Sequence, residues 1–366
     1  MTDRSAFQLD LGGSGWDLPE AATTFSWNYA DGRDHLLSLY EKGKKKQWSS
    51  TTRIDWSHSI DLNNPMAVPD VSDSVLGAER WAKLSEDEKG QIRLHSMAWQ
   101  FSQFLHGEQG ALLCAAKLVH ALPQIDSKLY AATQVIDEAR HVEVYTRYLD
   151  EKLGVSYPVN RHLKTLLGQV ITDSRWDITS LGMQIIIEGL ALASLSFVRE
   201  YAREPLVRSI VTYVLQDEAR HVAFGRMALR DLYPQLTEAE RAQREEFVVE
   251  ACYLMRDRFV AQDVWERLGM PVDECTERYN RARETQQFRA LLFMRLAPII
   301  KDIGLLGPTV RKAFEAMGVM QFTQLDIDAQ SRRDEEAGDA LDEARLAELA
   351  AHTAATIEQG EDGRAG

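Results

Sequence analysis

The hexapeptide Asp-Glu-Ala-Arg-His-Val occurs twice in this chain of 366 residues, at positions 137–142 and again at positions 217–222. A lone glutamate, Glu108 or Glu188, lies 30 residues before the glutamate of each copy. Because each copy of the motif follows a glutamate at the same distance, we expect a fold that places the two copies in equivalent surroundings. The repeat therefore suggests two helical hairpins related by duplication, although only the motif itself is visibly repeated.

Within each copy, the glutamate and the histidine lie three residues apart. Residues at this spacing share one face of an α-helix, so Glu138 points with His141 and Glu218 points with His221. With the two lone glutamates, they offer four carboxylates and two imidazoles. This is the ligand set of a dinuclear carboxylate site in a four-helix bundle, to which two helices supply one Glu and two supply a Glu-x-x-His. The predicted metal ligands are Glu108, Glu138, His141, Glu188, Glu218 and His221.

The charge of this ligand set supports a metal site. Four carboxylates balance two divalent cations, and an uncompensated charge is costly to bury. Glu188 also lies in the apolar run 185–193, where a carboxylate is usually paired or coordinated. The alternative is two amphipathic helices that share a polar hexapeptide without binding metal.

Composition limits the class of protein. The net charge of −14 argues against a nucleic-acid partner, because phosphate binding needs a basic surface. Three cysteines are too few for a disulfide framework, which favours a reducing cytoplasm. Residues 1–16 contain no apolar core of a signal peptide, and no stretch reaches the roughly 18 apolar residues that span a bilayer. We therefore expect a cytoplasmic protein with no membrane segment.

The sequence predicts an all-α chain, because helical periodicity recurs and alternating strand patterns do not. Expected helices cover residues 34–48, 91–122, 127–153, 178–203, 205–232, 238–268, 273–303 and 308–317. Three regions follow: a mostly irregular segment with one short helix over 1–84, a helical domain over 85–320, and an acidic, alanine-rich tail over 326–366. Few aromatic residues occur in that tail, so we expect it to be flexible or a loose surface helix.

The combined pattern of lone glutamates and Glu-x-x-His pairs resembles the ferritin-like di-iron carboxylate superfamily. Within it, the chain is most similar to the ribonucleotide reductase small subunit and the bacterial multicomponent monooxygenase hydroxylases. The resemblance covers about residues 85–305. It implies an all-α, ferritin-like four-helix bundle with additional flanking helices, two Fe ions or a Mn/Fe pair, and O2 as co-substrate.

The function that this resemblance implies is an oxidoreductase that hydroxylates, oxygenates or desaturates a small organic substrate. We expect an external reductase or ferredoxin to supply electrons, since no Gly-x-Gly-x-x-Gly follows a strand, and we expect a homodimer. A radical-generating protein like the reductase small subunit is one alternative, and a ferroxidase or iron-handling protein is another. Apolar residues expected to form a pocket wall near the metals, with simple bundle core as the alternative for each, are Phe101, Phe104, Leu190, Ala191, Leu192, Phe197 and Phe224.

A second prediction concerns the residues next to the predicted ligands in each hexapeptide. In the monooxygenases, the aspartate before each ligating glutamate pairs with the arginine before the other histidine, which implies Asp137 with Arg220 and Asp217 with Arg140. A metal-bound imidazole normally donates its other N–H to a carboxylate, which then needs a counter-charge when buried. Surface salt bridges are the alternative for these four residues.

Tyr145 lies four residues after His141, where the reductase small subunit carries its radical tyrosine. It is a candidate radical site, and plain core with a hydroxyl bonded to a ligand carboxylate is the alternative. The chain also departs from the related families. Leu192 replaces a threonine of the monooxygenases, Val214 replaces an extra histidine of the arylamine N-oxygenases, and Gly225 lies where a second tyrosine would be.

Overall fold

The structure is a computed structural model that describes residues 23–29, 32–68 and 76–362, with side chains up to residue 351. The predictions for residues 1–16 and for the last residues of the chain lie outside this part. Its α-helices are α1 (Asp34–Lys45), α2 (Ser50–Arg53), α3 (Ala78–Lys83), α4 (Glu86–Ala121), α5 (Ile125–Arg147), α6 (Arg161–Thr172), α7 (Trp176–Ser180), α8 (Glu188–Tyr201), α9 (Pro205–Leu232), α10 (Glu238–Asp257), α11 (Gln262–Arg267), α12 (Val272–Arg281), α13 (Arg283–Asp302), α14 (Pro308–Ala316) and α15 (Ile327–Asp362).

Four long segments form a bundle. Helix α4 packs along α5, α8 packs along α9, and α5 also contacts α9. No strand occurs among the described residues. The predicted all-α bundle with flanking helices is therefore confirmed, and its four segments are those that carry the predicted metal ligands.

Local sequence explains where the bundle helices begin and end. Ser85 caps α4: its hydroxyl accepts from the Glu88 amide, and the Glu88 carboxylate accepts from the Ser85 amide. Helix α9 begins with Pro205, whose fixed φ suits the first helical position. After α5, the π-helical turn Tyr148–Leu153 ends at Gly154, whose φ of 65° is left-handed and favours glycine.

The third bundle segment consists of α7, the π-helical turn Leu181–Ile187 and α8. By length and composition, Trp176–Tyr201 could cross a membrane, with a mean hydropathy of 1.8 over its best window. The prediction that no stretch is long and apolar enough was therefore wrong. In this fold 78% of that window is buried inside the protein, which is the environment of a helix at the centre of a bundle.

The flanking regions contain more helix breaks than the sequence predicted. The N-terminal region holds α1, α2 and α3 rather than one helix, and α6 was missed although its buried Leu163, Leu166, Leu167 and Val170 recur at helical spacing. The predicted helix 238–268 divides into α10 and α11, and 273–303 divides into α12 and α13. Extended backbone at Ala282 separates the second pair.

The tail that was expected to be flexible or a loose surface helix forms helix α15. It packs against α9, and Asp334 is buried where it pairs with Arg199 and Arg295. Further ion pairs join Asp339 to Lys46 and Asp342 to Arg53. These carboxylates fix the helix because its apolar residues are mostly alanines and offer little area to bury.

Candidate metal centre

The structure brings all six predicted ligands together at the centre of the bundle. Ligand atoms of Glu108, Glu138, His141 and Glu218 lie within 4.8 Å of one another, and those of Glu138, Glu188 and His221 do the same. All six residues are buried. Glu138 belongs to both groups, so the two groups form one cluster with two neighbouring metal-sized positions.

One nitrogen of each imidazole faces the carboxylates. The His141 Nδ1 atom lies 3.3 Å from Glu108 Oε2, 3.4 Å from Glu138 Oε2 and 3.2 Å from Glu218 Oε1. The His221 Nδ1 atom lies 3.1 Å from Glu138 Oε1 and 3.6 Å from Glu218 Oε2. Nδ1 is therefore the atom of each histidine that is available to a metal.

The other nitrogen of each imidazole faces the aspartate of the opposite motif. His141 Nε2 donates to Asp217 Oδ2 at 3.0 Å, and His221 Nε2 donates to Asp137 Oδ2 at 3.1 Å. A carboxylate acceptor keeps a proton on Nε2, so Nδ1 is the nitrogen that would give up its proton and offer its lone pair to a metal. The duplicated motif thus produces two crossed contacts.

Both arginines of the motifs are buried between the two aspartates. Arg140 lies 2.9 Å from Asp217 and 2.5 Å from Asp137, and Arg220 contacts Asp217 and lies 3.9 Å from Asp137. The predicted cross-motif pairs are thus present, with the Asp137–Arg220 pair longer, and each arginine also pairs within its own motif. Their burial sets this group apart from surface salt bridges.

Two further residues hold the aspartates, and no sequence pattern predicted them. Trp48 Nε1 donates to Asp217 Oδ2 at 2.8 Å, and Gln47 Nε2 donates to Asp137 Oδ1 at 2.7 Å. Arg140 stacks on the Trp48 ring, with its guanidinium carbon 4.9 Å from the ring centroid. These residues follow α1 and come close only through tertiary packing.

Two buried glutamine side chains form a hydrogen-bonded chain that ends on the carboxylates of two predicted ligands. This chain was not predicted from the sequence. Gln134 Nε2 lies 3.0 Å from both Glu138 Oε1 and Glu188 Oε1 and donates to them. Gln184 Nε2 donates to Gln134 Oε1 at 2.7 Å. A signal existed: Gln134 and Gln184 each lie four residues before a ligand glutamate, a spacing that shares a helix face.

Crowding of buried charges shifts the pKa values in this cluster. Burial, together with the charge of Glu218, raises the pKa values of Glu108 and Glu188 well above the ordinary value. Burial acts in the same direction on Glu138, but the two histidines outweigh it and lower its pKa. Burial would lower the pKa values of His141 and His221, yet the surrounding carboxylates raise them well above the ordinary value.

The residues fit two divalent cations. In the described part of the chain, Glu138 Oε2, Glu188 Oε2, both carboxylate oxygens of Glu218 and His221 Nδ1 are buried without a hydrogen-bond partner. Orphaned buried acceptors are costly, and cations would satisfy them. Carboxylates and imidazoles are also the donor set that suits iron and manganese.

Tyr145 is fully buried beside this cluster. Its ring packs against Phe101 and Phe104, with centroids 5.7 Å and 5.8 Å away. Its hydroxyl has no hydrogen-bond partner among the described residues, so a bond to a ligand carboxylate is not seen. Burial and the charges of the neighbouring glutamates raise the pKa of Tyr145 well above its ordinary value. The hydroxyl therefore keeps its proton.

The predicted apolar surroundings are only partly brought together. Phe101 and Phe104 flank Tyr145, while Leu190 and Leu192 are buried in the same core as Phe101. Phe224 instead stacks on Tyr130 in a second, smaller core, and Phe197 stacks on Tyr201.

The positions that depart from the related families are packed. Val214 is completely buried and offers no metal ligand. At Gly225, a Cβ atom would lie 2.7 Å from the Cβ of Gln184, which explains why a tyrosine is excluded there. A second radical tyrosine after His221 would displace the amide chain.

Comparisons with known proteins come from two sources. The family model of the P-aminobenzoate N-oxygenase AurF matches residues 30–304. Among solved structures, two variants of an R2-like ligand-binding oxidase with an anaerobically reconstituted Mn/Fe cofactor each align at 20% identity and a TM-score of 0.46, covering 75% of this chain and 96% of theirs. A third variant of that oxidase aligns at 20% identity and a TM-score of 0.45 over the same shares. No curated protein matches the sequence.

Proposed function

The chain belongs to the family of the P-aminobenzoate N-oxygenase AurF, and from this premise we propose that it uses O2 to oxygenate the nitrogen of a small aromatic amine. Membership confirms the predicted class, an oxidoreductase that oxygenates an organic substrate at a dinuclear carboxylate site. The observation that carries the proposal is the convergence of four glutamates and two histidines on one buried cluster.

Two iron ions, or a Mn/Fe pair, would be held by the six predicted ligands. Glu138 and Glu218 lie between the two histidines and are placed to serve both metals, whereas Glu108 and Glu188 lie at opposite ends. When bound, the metals supply the electrons that reduce O2.

The surrounding residues hold the ligands in position. Asp137 and Asp217 fix the Nε2–H side of each imidazole, and the two buried arginines neutralise those aspartates. The Gln134 amide holds Glu138 and Glu188 from the other side. Such contacts orient metal ligands and tune their basicity.

The reaction consumes electrons that the chain does not supply. One turnover converts R–NH2, O2, two electrons and two protons into R–NHOH and water. We assign the electrons to a separate reductase or ferredoxin, because no nucleotide-binding glycine motif follows a strand. Turnover with amine and O2 but without added reductant would contradict this assignment.

The arylamine N-oxygenases carry a histidine where this chain has Val214, so the proposed centre uses six ligands. The family match makes the amine nitrogen the first substrate atom to test, and the missing histidine makes carbon oxygenation the second. A homodimer in a reducing cytoplasm belongs to the same proposal. The three cysteines of the chain are free and buried, as this compartment favours.

The test is a single turnover with isotopically labelled O2. Apoprotein is loaded with Fe(II) without air, reduced, and exposed to the label with p-aminobenzoate or with a hydrocarbon of similar size. We expect one labelled oxygen on the amine nitrogen by product mass analysis, and none with His221→Ala. Label on a ring or alkyl carbon would show that the protein oxygenates carbon instead of nitrogen. Iron oxidation without any labelled product would favour the iron-handling alternative.

A further inference from the structure

A cavity of about 1070 Å³ lies away from the metal cluster, between α8, the start of α9, α13 and α15. None of the six candidate metal ligands lines it. Phe197, which does, follows Glu188 by nine residues, or two and a half helical turns, so it lies on the opposite face of α8. The cavity is therefore separate from the site at which O2 would react.

The lining of this cavity is rich in arginine although the chain carries a net charge of −14. Basic side chains come from each of the four helices and from the segments beside them. The arginines are Arg53, Arg199, Arg203, Arg208, Arg295, Arg333 and Arg345, and the acidic lining residues are Asp55, Glu200, Asp334 and Glu348. The wall thus has a local excess of positive charge, which attracts anions.

Much of this positive charge is not neutralised by the protein. Arg203, Arg208 and Arg333 have no acidic side chain within 4.0 Å in the described part of the chain. Arg199 and Arg295 share the carboxylate of Asp334, at 3.2 Å and 2.7 Å, and Arg199 also lies 3.4 Å from the exposed Glu200. The Nη1 atom of Arg199 is buried with no hydrogen-bond partner among the described residues, an arrangement that an anionic ligand would satisfy.

One wall of the cavity is aromatic. Phe197 and Tyr201 stack with centroids 4.2 Å apart, and Tyr201 keeps 60% of its surface exposed. Leu291 and Met294 extend the apolar surface from α13, and Leu291 is 43% exposed. A planar ring placed on Tyr201 would cover this surface and would lie beside the arginines.

We propose that this cavity binds a phosphate-bearing aromatic molecule of nucleotide size. Guanidinium groups pair with phosphate oxygens through two parallel hydrogen bonds, so the unpaired arginines take the phosphates and the Phe197–Tyr201 wall takes the ring. The volume exceeds that needed by a lone phosphate and matches cavities that hold small organic ligands. The concave shape of the cavity between four helices favours a small molecule over the surface of an acidic protein.

The test measures ADP binding to the full chain by calorimetry at low salt. Adenosine keeps the ring without the charge, and pyrophosphate keeps the charge without the ring. We expect ADP to bind more tightly than either, and added salt to weaken it. The double variant Arg203→Ala/Arg208→Ala should weaken ADP binding roughly tenfold or more, since two charge-assisted contacts are lost.

Matched controls separate this effect from damage to the fold. Arg311→Ala removes an exposed arginine on α14, outside the cavity, and should leave ADP affinity unchanged. Tyr201→Ala should weaken ADP and leave pyrophosphate unaffected. The proposal is overturned if ADP does not bind, or if the double variant Arg203→Ala/Arg208→Ala binds ADP as tightly as the control Arg311→Ala does. Binding of an acidic ferredoxin without binding of ADP would also overturn it. None of these results depends on oxygenase activity.

Discussion

Loading the candidate centre with metal should release protons, and the directions of the pKa shifts indicate which groups supply them. Glu108, Glu188, His141 and His221 all have raised pKa values in the metal-free cluster, so each keeps its proton to a higher pH than it would in water. A metal binds only the deprotonated carboxylate and the neutral imidazole. Filling both positions should therefore release up to four protons, one from each group.

The sign of the pH dependence follows from the same shifts. Because these four groups of the metal-free cluster have raised pKa values and must lose their protons to bind metal, metal affinity should strengthen as the pH rises, by as many decades per pH unit as protons released. The metal-free fold binds these protons more tightly than the unfolded chain does, so its stability falls as the pH rises towards the folded pKa values. The stabilisation on metal loading should therefore grow over the same interval.

Calorimetric titration of Mn(II) in buffers of different ionisation enthalpy measures the proton count directly. We expect about two to four protons near neutral pH, and about one fewer for Glu188→Gln, which removes one titrating carboxyl while preserving its shape. A count below about one, or an affinity that does not change with pH, would show that the groups are already deprotonated and that the crowding argument is wrong.

Four other predictions test separate contacts. Glu188→Ala or His221→Ala should each lose one metal by elemental analysis and keep most of the helical circular-dichroism signal, because core packing supplies most of a bundle's stability; collapse of helix in both would mean a structural metal. Asp217→Asn should weaken metal binding roughly 10- to 100-fold while helical content is preserved, and an unchanged affinity would remove its orienting role. Tyr145→Phe should change turnover by less than about tenfold, because the hydroxyl has no hydrogen-bond partner among the described residues and even one such bond would be worth only roughly 0.5–1.5 kcal/mol; a tyrosyl radical in the paramagnetic resonance spectrum that this variant abolishes would favour radical generation instead. Asp334→Asn should lower the free energy of unfolding in denaturant by about 2–4 kcal/mol, because it leaves two largely buried arginines to share a neutral partner, and an unchanged value would show that α15 is held by other contacts.

The sequence predicted the six candidate ligands because their geometry is local. Glu138 with His141, and Glu218 with His221, share a face by helical periodicity alone, and the matched 30-residue offsets indicated which other glutamates belong with them. Apolar context identified Glu188 as buried. For these residues, chemistry and spacing were sufficient without tertiary contacts.

Tertiary contacts were not predictable by the same route. Trp48 reaches Asp217 across 169 residues of sequence, and Gln47 reaches Asp137 across 90, with no local pattern that connects them. Gln134 and Gln184 were within reach of sequence reasoning, because both lie one turn before a ligand glutamate, but glutamine is ordinarily a surface residue.

The C-terminal helix shows how composition alone can mislead. An acidic, alanine-rich segment with few aromatics predicts a solvated tail, because it buries little apolar area. Here Asp334, Asp339 and Asp342 instead meet arginines and a lysine from distant segments. The partners of these charges are visible only in the fold, so the same composition that indicated flexibility in fact forms a packed helix.

Anomalous X-ray diffraction from crystals of the iron-loaded protein, collected at the iron absorption edge, tests the central claim most directly. The account predicts two strong peaks roughly 3.5–4 Å apart, one beside Glu108 and His141 and the other beside Glu188 and His221, with Glu138 between them. A single peak, or peaks outside these residues, would contradict a dinuclear centre and with it the proposed oxygenase chemistry.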